Sequence, residues 1–159
     1  MRRCAVIGSP IAHSLSPLLH RTAYAELGLT DAYRYDAFEV TPATLPGFVA
    51  GLGPEWVGLS VTAPNKQALL DQGEPDPVAV ELQAGNTLIL GPDGAAHRVY
   101  NTDVTGLLAA LARAGVDRAD TAVLVGAGAT ARSSLWAAGR LGVREVVVCA
   151  RDAGRPQRT

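Results

Sequence analysis

A single lysine in an arginine-rich chain is the first residue whose type suggests chemistry. The 159-residue sequence carries 14 lysines and arginines, and Lys66 is the one lysine among them. Arginine keeps its proton at any working pH, whereas a lysine ammonium is able to give one up in suitable surroundings. Lys66 is therefore a candidate for proton transfer, with a chance position on a solvated helix face as the alternative.

A glycine-rich stretch, Gly126-Ala127-Gly128-Ala129-Thr130-Ala131, has the G-x-G-x-x-A form of a dinucleotide-binding turn. It follows an apolar strand at 121–125 and opens a helix, the context in which this pattern holds a pyrophosphate. Gly126 permits the tight turn, Gly128 lets the backbone approach the phosphates, and Ala131 lets the helix pack closely on the strand. The alternative is a glycine turn in an α/β fold that binds no nucleotide.

The residues that select NAD or NADP lie about twenty residues further on, at the end of the next strand. An acidic residue there would hold the ribose 2′-hydroxyl of NAD, but the chain has Ala150-Arg151, followed by Asp152 and Arg155. Two arginines suit the 2′-phosphate of NADP through charge-assisted hydrogen bonds. Ordinary surface charge is the alternative for both arginines.

Two serines beside a predicted helix start suggest a carboxylate site. Ser14 and Ser16 are separated by one residue, and Pro17 follows at a position typical of the first helical turn. Their hydroxyls, together with the N–H groups of the helix start, can bind a carboxylate. A simple helix cap is the alternative for Ser16.

Polar residues at the end of a predicted strand suggest a site for the rest of a small ligand. Thr62 and Lys66 follow the strand at 56–61, and ligands of open α/β sheets bind at such carboxyl ends. Asn86 precedes another strand and offers both a donor and an acceptor. Asp103 lies at a helix start, where a carboxylate is stabilised, and capping is its alternative role. Lys66 and Asp103 would form a cation–carboxylate pair suited to moving a proton while a nicotinamide moves a hydride.

The elements that position these residues alternate between strand and helix, which predicts a mostly parallel sheet with helices on its faces. Strands are predicted at residues 4–7, 33–40, 56–61, 87–90, 97–100, 121–125 and 145–149. Helices are predicted from Ser16 to Gly28, at 44–52, near 65–70, from Thr102 to Ala114 and at 132–141, with a loop at 71–77 and a hairpin turn at 91–94. The first helix is expected to carry an apolar face of Leu18, Leu19, Thr22, Ala23 and Leu27.

The predicted fold class is α/β, with a domain boundary at the helix that follows residue 101. Residues 1–101 are predicted to form a substrate-binding domain. Residues 102–159 comprise the inter-domain helix and the first βαβ part of a Rossmann-type NADP-binding domain. Because a doubly wound nucleotide domain has about six strands, the sequence is expected to be truncated at its C-terminus.

The composition excludes several classes of function. Charged residues make up 18% of the chain and the net charge is −1, which argues against nucleic-acid binding and disorder. No metal-ligand spacing, signal peptide or apolar run of membrane-spanning length is present in the sequence. Cys4 and Cys149 lie in apolar runs and are expected to be buried, reduced thiols. The prediction is a soluble, cytoplasmic protein with no metal, nucleic-acid or membrane partner.

The motifs together resemble the shikimate dehydrogenase family, enzymes that reduce 3-dehydroshikimate to shikimate with NADPH. The matching stretches follow the family's order and nearly its spacing: GSPIAHSLSP at 8–17, SVTAPNK at 60–66, AGNT at 84–87, NTD at 101–103 and GAGATAR at 126–132. The resemblance implies an NADP-dependent oxidoreductase of chorismate and aromatic amino-acid biosynthesis. It also implies a small-molecule substrate and a monomeric or homodimeric protein.

The resemblance implies a role for each motif residue. In the substrate site, Ser14 and Ser16 would hold the carboxylate, and the ring hydroxyls would be bound by Ser60, Thr62, Lys66, Asn86 and Asp103. Lys66 and Asp103 would be the catalytic pair, with Lys66 as the proton donor to the developing alkoxide. NADP(H) would be held by Gly126, Ala127, Gly128, Ala129, Thr130, Ala131 and Arg132, and its 2′-phosphate by Arg151 and Arg155.

The sequence also departs from the family pattern. Ser60 stands where the family often has asparagine, Asn65 takes a usually apolar place, and residues 68–80 match poorly. The second half of the nucleotide domain and the family's C-terminal helix are not in the sequence. The alternatives are a quinate/shikimate dehydrogenase that uses NAD, a truncated non-catalytic ligand-binding fragment with little NADPH-dependent turnover, and an unrelated binding module.

Overall fold

Strands and helices alternate along the chain as the apolar patterning predicts, which confirms the α/β class. The computed structural model describes residues 1–92 and 95–150. The chain divides between Asn101 and Thr102 into two units, each with its own sheet. The predicted hairpin residues Asp93 and Gly94 lie outside the described residues, as do Arg151, Asp152 and Arg155.

The first unit is built on one six-stranded sheet in the order β2-β1-β3-β5-β6-β4. Its elements are β1 (Arg2–Gly8), α1 (Ser16–Glu26), β2 (Tyr33–Glu39), α2 (Leu45–Ala50), β3 (Trp56–Val61), a 3-10 helix (Ala68–Gln72), β4 (Glu74–Pro75), α3 (Pro77–Leu82), β5 (Thr87–Ile89) and β6 (Arg98–Tyr100). β1 pairs parallel with β2 and β3, whereas β5 pairs antiparallel with β3 and β6. The carboxyl ends of β1 and β3 therefore meet the amino end of β5 at one end of the sheet.

The main core of this unit lies between one face of the sheet and the short helices. Ala5 and Ile7 of β1 belong to it, because alternate residues of a strand face the same side. Leu45 of α2, Leu69 of the 3-10 helix and Leu88 of β5 are fully buried in the same cluster. Full burial of an aliphatic side chain of this size stabilises a fold by about 1.5–3 kcal/mol. This cluster therefore fixes the strands on which the motif residues are placed.

A smaller apolar cluster lies on the opposite face of the sheet. It consists of Val6, Ile11 and Tyr35, with Cys4 and Tyr24 packed against it. Tyr24 belongs to α1, and its ring centroid lies 5.5 Å from that of Tyr33. This second cluster anchors α1 to the sheet.

The phenol of Tyr24 makes the stability of this cluster sensitive to alkaline pH. Burial raises the pKa of Tyr24 to about 12, and the neighbouring Cys4 acts in the same direction. Because the unfolded phenol titrates near 10.0, the unfolded chain loses this proton first as the pH rises. We expect the free energy of unfolding to be unaffected by this group below about pH 10 and to fall between about pH 10 and 12. Urea unfolding of wild type and Tyr24→Phe at pH 8, 10 and 11 measures the effect.

The Tyr24→Phe variant is expected to lose less stability than wild type over this pH interval. Tyr33→Phe is the matched control, since it removes one hydroxyl from the ring next to Tyr24 and leaves the Tyr24 phenol in place. An equal decline in wild type and Tyr24→Phe would contradict the assignment of the pH sensitivity to Tyr24.

The start of α1 differs from its sequence prediction. Ser16 is the first helical residue rather than the N-cap, and Leu15 occupies the N-cap position without a side-chain hydrogen bond. The Ser14 hydroxyl instead accepts a hydrogen bond from the Ser16 amide at 3.3 Å. Gly28 follows the helix with a φ of +66°, which confirms it as the terminator.

The predicted apolar face of α1 does not face the core. Leu18 and Leu19 are 64% and 65% exposed, and no residue of the helix is fully buried. The side of α1 that meets the sheet carries the aromatic rings of His20 and Tyr24 instead. The spacing of the leucines thus marked a helix correctly but not its buried side.

The segment between Lys66 and Gly85 contains more structure than the sequence predicts. The helix expected near 65–70 is a 3-10 helix at Ala68–Gln72, and the expected loop contains the two-residue strand β4. The unpredicted helix α3 begins with Pro77, and the Asp76 carboxylate caps it by accepting from the Ala79 amide at 2.7 Å. A capping aspartate followed by proline is a typical helix start.

The second unit contains α4 (Asp103–Arg113), β7 (Thr121–Val125), α5 (Ala129–Arg140) and β8 (Glu145–Cys149) among its described residues. β7 and β8 pair parallel, as predicted. α5 begins at Ala129 rather than at Arg132, because Gly128 already serves as its N-cap. The prediction of a buried Cys149 is wrong: the residue is exposed at the end of β8, and the half-buried Cys4 is also a free thiol.

Candidate functional site

Three loops of the first unit carry four of the residues predicted for the substrate site. They are the serine loop (9–15), the lysine loop (62–67) and the asparagine loop (83–86). The serine loop follows β1, the lysine loop follows β3 and the asparagine loop precedes β5. The strand directions bring all three to the same end of the sheet.

The serine loop is tied to the end of the neighbouring strand β2. The Glu39 carboxylate accepts hydrogen bonds from the Ser9 hydroxyl at 2.5 Å and from the Ile11 amide at 3.0 Å. The Ser14 amide donates to the Ile11 carbonyl at 2.9 Å. These contacts fix the loop just before Ser14 and Ser16, whose side chains are half-buried and accessible to a ligand.

The lysine loop contacts the serine loop directly through the main chain. The Thr62 amide donates to the Ile7 carbonyl at 2.9 Å, and the Ser9 amide donates to the Ala63 carbonyl at 3.0 Å. Gly8 lies at this crossing, where a Cβ atom would collide with the Thr62 methyl group and lie 2.9 Å from the Ala63 carbonyl oxygen. Glycine is therefore required for the two loops to approach each other.

Asn65, which departs from the motif pattern, anchors the lysine loop to the residue that follows β2. Its side chain is fully buried, and its Nδ2 donates to the Val40 carbonyl at 2.8 Å. The Asn65 amide also donates to the Thr62 carbonyl at 3.0 Å. Since Lys66 follows directly, these bonds fix the backbone from which the lysine side chain projects.

The asparagine loop is joined to the lysine loop and to β3. The Gly85 amide donates to the Lys66 carbonyl at 2.8 Å, and the Val61 amide donates to the Asn86 carbonyl at 2.7 Å. Asn101 holds the loop from the other side, since its Nδ2 donates to the Ala84 carbonyl at 2.8 Å. The structure thus brings the Lys66 and Asn86 backbones close together.

Ser60 lies in β3, between the ends of two neighbouring strands. It is the register partner of Val6 in β1 and of Thr87 in β5. The Tyr35 hydroxyl of β2 donates to Ser60 Oγ at 2.7 Å. Tyr35 and Glu39 are contacts of the site that the sequence motifs did not reveal.

The side chains gathered at this end of the sheet can bind a small polyhydroxylated ligand. Hydroxyl, amide and ammonium groups are present on half-buried residues, namely Ser14, Ser16, Ser60, Thr62, Lys66 and Asn86. Half-burial leaves each group within reach of a ligand and lowers the amount of water that competes for its hydrogen bonds. The Lys66 ammonium adds a charged group that can donate a proton.

The glycine turn of the second unit has the backbone of a phosphate site. Gly126 has a φ of +116°, a conformation that residues with a Cβ rarely adopt, and its amide donates to the Cys149 carbonyl at 2.8 Å. Among the described residues, no atom beyond the adjacent residues of the chain lies within 4 Å of the position a Cβ would take on Gly126 or Gly128. The helix N-terminus that follows attracts anions through its N–H groups and dipole.

Five further predicted residues of the second unit lie at helix starts. Asp103 is the first residue of α4, and Thr102 occupies its N-cap position. Ala129, Thr130 and Ala131 form the first turn of α5, and Arg132 follows them. The Ala131 and Arg132 amides donate to the Gly128 carbonyl at 3.0 and 3.3 Å.

A cavity of about 630 Å³ lies at the opposite end of the first sheet. It is lined by the beginning of β1 and β3 and by the residues after β5, including Arg2, Gly53, Trp56 and Leu90. Trp56 is nearly buried and packs against the guanidinium of Arg3 at 4.4 Å. None of the motif residues lines this cavity. The candidate substrate site and this cavity are therefore separate features of the first unit.

Within residues 1–92 and 95–150, no group of three His, Cys, Asp or Glu residues is placed to hold a metal ion. Over the same part of the chain, no helix is long and apolar enough to cross a membrane.

A comparison with protein families identifies the first unit. A profile described as the shikimate dehydrogenase substrate binding domain matches residues 6–88, more than half of the chain. The chain belongs to the shikimate dehydrogenase family. The resemblance inferred from the motifs is thereby confirmed, because the matched range contains the serine, lysine and asparagine loops.

Curated and solved members of the family match both units. The shikimate dehydrogenase (NADP(+)) of Natronomonas pharaonis is 40% identical over 151 residues, which cover 94% of this chain and 55% of that protein. A crystal structure of a shikimate 5-dehydrogenase from Mycobacterium fortuitum is 44% identical with a TM-score of 0.82, covering 96% of this chain and 55% of that one.

A structure of the Thermus thermophilus shikimate 5-dehydrogenase in complex with NADP(H) and shikimate is 33% identical with a TM-score of 0.82. The match covers 95% of this chain and 56% of that one. The chain spans about half the length of the curated relatives it matches.

Proposed function

We propose that the chain functions as an NADP-dependent shikimate dehydrogenase, an oxidoreductase that interconverts 3-dehydroshikimate and shikimate. The observation that carries the proposal is the joining of the serine, lysine and asparagine loops by main-chain hydrogen bonds at one end of the sheet. Membership of the family supports it, as does the Thermus thermophilus relative, whose structure is described as a complex with NADP(H) and shikimate.

In this proposal, the serine loop binds the substrate carboxylate. Ser14 and Ser16 offer hydroxyl donors, and a carboxylate accepts up to four hydrogen bonds. Ser60, Thr62 and Asn86 bind the ring hydroxyls, which both donate and accept. These residue types suit the ligand, because serine and threonine hydroxyls and the asparagine amide can each donate or accept a hydrogen bond.

Lys66 and Asp103 are proposed as the catalytic residues. The Lys66 ammonium donates a proton to the oxygen that becomes an alkoxide when the carbonyl is reduced, and takes it back in the reverse direction. Its backbone is held by the Gly85 amide at 2.8 Å, so the side chain projects from a fixed point. Asp103, the first residue of α4, is proposed as the carboxylate of the pair.

The described residues fit the pyrophosphate of NADP(H). The positive φ of Gly126 and the open space beside Gly126 and Gly128 suit a close approach of phosphate oxygens to the backbone. Gly128 has no side chain to cap α5, which keeps the helix start accessible to an anion. Arg132 follows the first turn and adds a positive charge. When bound, NADP(H) supplies or accepts the hydride.

The 2′-phosphate contacts assigned to Arg151 and Arg155 stay predictions from the sequence. A cytoplasmic location, a monomeric or homodimeric state and a place in chorismate biosynthesis belong to the same proposal and rest on the resemblance of the sequence to the family.

Calorimetric titration of the 159-residue chain with shikimate tests the substrate part of this proposal. Benzoate is the matched control ligand, because it carries a carboxylate on a six-membered ring without hydroxyls. Recognition of the hydroxyls by Ser60, Thr62, Lys66 and Asn86 is expected to make shikimate bind at least about tenfold more tightly than benzoate. Equal affinity for the two ligands, or no binding of shikimate, would contradict the proposal.

A further inference from the structure

A buried tyrosine supports the proposed substrate site from the adjoining strand. Tyr35 of β2 is 2% exposed, and its hydroxyl donates to Ser60 Oγ at 2.7 Å. Ser60 itself is half-buried and lies two positions before Thr62. The contact therefore connects a strand without motif residues to a serine that the proposed function places beside the ligand.

The Tyr35 ring is held in place by α1. His20 stacks on it, with ring centroids 3.8 Å apart and an angle of 11° between the planes. His20 Nδ1 lies 2.9 Å from the Ser16 carbonyl oxygen, and because a carbonyl only accepts, Nδ1 carries the proton. Arg21 Nε donates to the Tyr35 carbonyl oxygen at 2.9 Å. The phenol is thus fixed before any ligand binds, which lowers the entropy lost on binding.

The direction of the hydrogen bond decides what Ser60 offers to a ligand. A phenol has one proton, whereas a serine hydroxyl has one proton and two lone pairs. Because Tyr35 gives its proton to Ser60, the bond occupies a lone pair of Ser60 and leaves the Ser60 proton for another acceptor. Rotation of Ser60 away from this position would leave the buried phenol without its acceptor, at the cost of a hydrogen bond.

Burial also keeps the Tyr35 phenol protonated. It raises the pKa of Tyr35, so the hydroxyl retains the proton that it donates to Ser60.

We propose that Tyr35 is a positioning residue of the shikimate site, which holds the Ser60 hydroxyl as a hydrogen-bond donor toward a ring oxygen of the ligand. The proposal rests on the proposed function, because it requires shikimate to lie beside Ser60. Tyr35 acts through Ser60 and does not touch the ligand.

A double-mutant cycle on shikimate affinity, measured by calorimetry with the full chain, tests this role. Tyr35→Phe and Ser60→Ala are each expected to weaken binding about 3–10-fold, the effect of losing one hydrogen bond. The double variant is expected to bind no more weakly than Ser60→Ala, because Tyr35 acts only through the Ser60 hydroxyl. A purely structural effect of Tyr35 would instead add to the effect of Ser60→Ala.

Tyr33→Phe is the matched control, since it removes a hydroxyl from the same strand and is expected to leave shikimate affinity unchanged. A second measurement does not depend on any variant: the Tyr35 hydroxyl proton, followed by NMR in the wild-type chain, is expected to shift on saturation with shikimate. Wild-type affinity for Tyr35→Phe, additive losses in the double variant, or an unmoved proton at saturation would each overturn the role of Tyr35. Failure of the wild type to bind shikimate would overturn the proposed function itself.

Discussion

Replacing Lys66 by alanine is expected to weaken shikimate binding about 10–100-fold, the effect of losing a hydrogen bond from a charged donor. The substitution removes the ammonium group while the backbone stays anchored, because the Gly85 amide bonds to the Lys66 carbonyl rather than to its side chain. Calorimetric titration with shikimate measures the loss, and urea unfolding shows whether the fold is retained.

Lys66→Arg is the matched control for this experiment. Arginine keeps the charge but places it on a planar group that does not give up its proton. The arginine variant is therefore expected to bind shikimate with an affinity between those of wild type and Lys66→Ala. An alanine variant that binds shikimate within about twofold of wild type would contradict a direct contact between Lys66 and the ligand.

A methyl group at Gly8 is expected to damage both stability and ligand binding. The added Cβ of Gly8→Ala would collide with the Thr62 methyl group and lie 2.9 Å from the Ala63 carbonyl oxygen. Because main-chain hydrogen bonds hold the two loops together at this point, relief requires them to separate. Overpacking of this kind costs about 1–3 kcal/mol of unfolding free energy. Since Thr62 and Lys66 move with their loop, shikimate affinity is expected to fall at least about tenfold.

The same substitution at Gly47 provides the control. A Cβ at Gly47, in the exposed part of α2, would meet no described atom within 4 Å outside the adjacent residues and the backbone of its own helix. Gly47→Ala is therefore expected to keep its shikimate affinity and to be as stable as wild type or more stable, by up to about 1 kcal/mol. Chemical unfolding and calorimetry of both variants make the comparison. Equal stability and affinity in Gly8→Ala and wild type would show that the two loops do not meet as described.

The sequence predicted the local backbone well where a motif contains its own structural reason. Gly126 and Gly128 could be predicted because a tight turn between a strand and a helix needs glycine, and the strand and helix were themselves visible in the apolar pattern. Lys66 stood out by composition alone. All the described strands except β4 were also predicted within a residue or two of their observed bounds, because buried strands form continuous apolar runs.

Contacts between distant parts of the chain were not predictable in the same way. Tyr35 meets Ser60 across 25 residues, and Glu39 meets Ser9 across 30. Both pairs depend on the placement of β1 between β2 and β3, which the order of elements in the sequence does not specify. No local sequence feature shows that a tyrosine or a glutamate in a strand contacts site residues far away in the chain.

The helix α1 shows a different limit of sequence patterns. Its leucines predicted an apolar face toward the core, yet the sheet is met by His20 and Tyr24. The amphipathic pattern identifies a helix but gives equal weight to any apolar side chain, whereas the actual packing uses the aromatic rings that fill the space above β1 and β2. In α3, by contrast, the Asp76-Pro77 pair was an available signal of a helix start.

We expect shikimate to bind where the serine, lysine and asparagine loops meet. Amide shift mapping by NMR during titration of the labelled chain with shikimate locates the bound ligand. Saturable shifts at Ser14, Ser16, Thr62, Lys66 and Asn86 are the predicted result. Shifts confined to Gly53, Trp56 and Leu90 at the other end of the sheet, or no shifts at saturating shikimate, would contradict it.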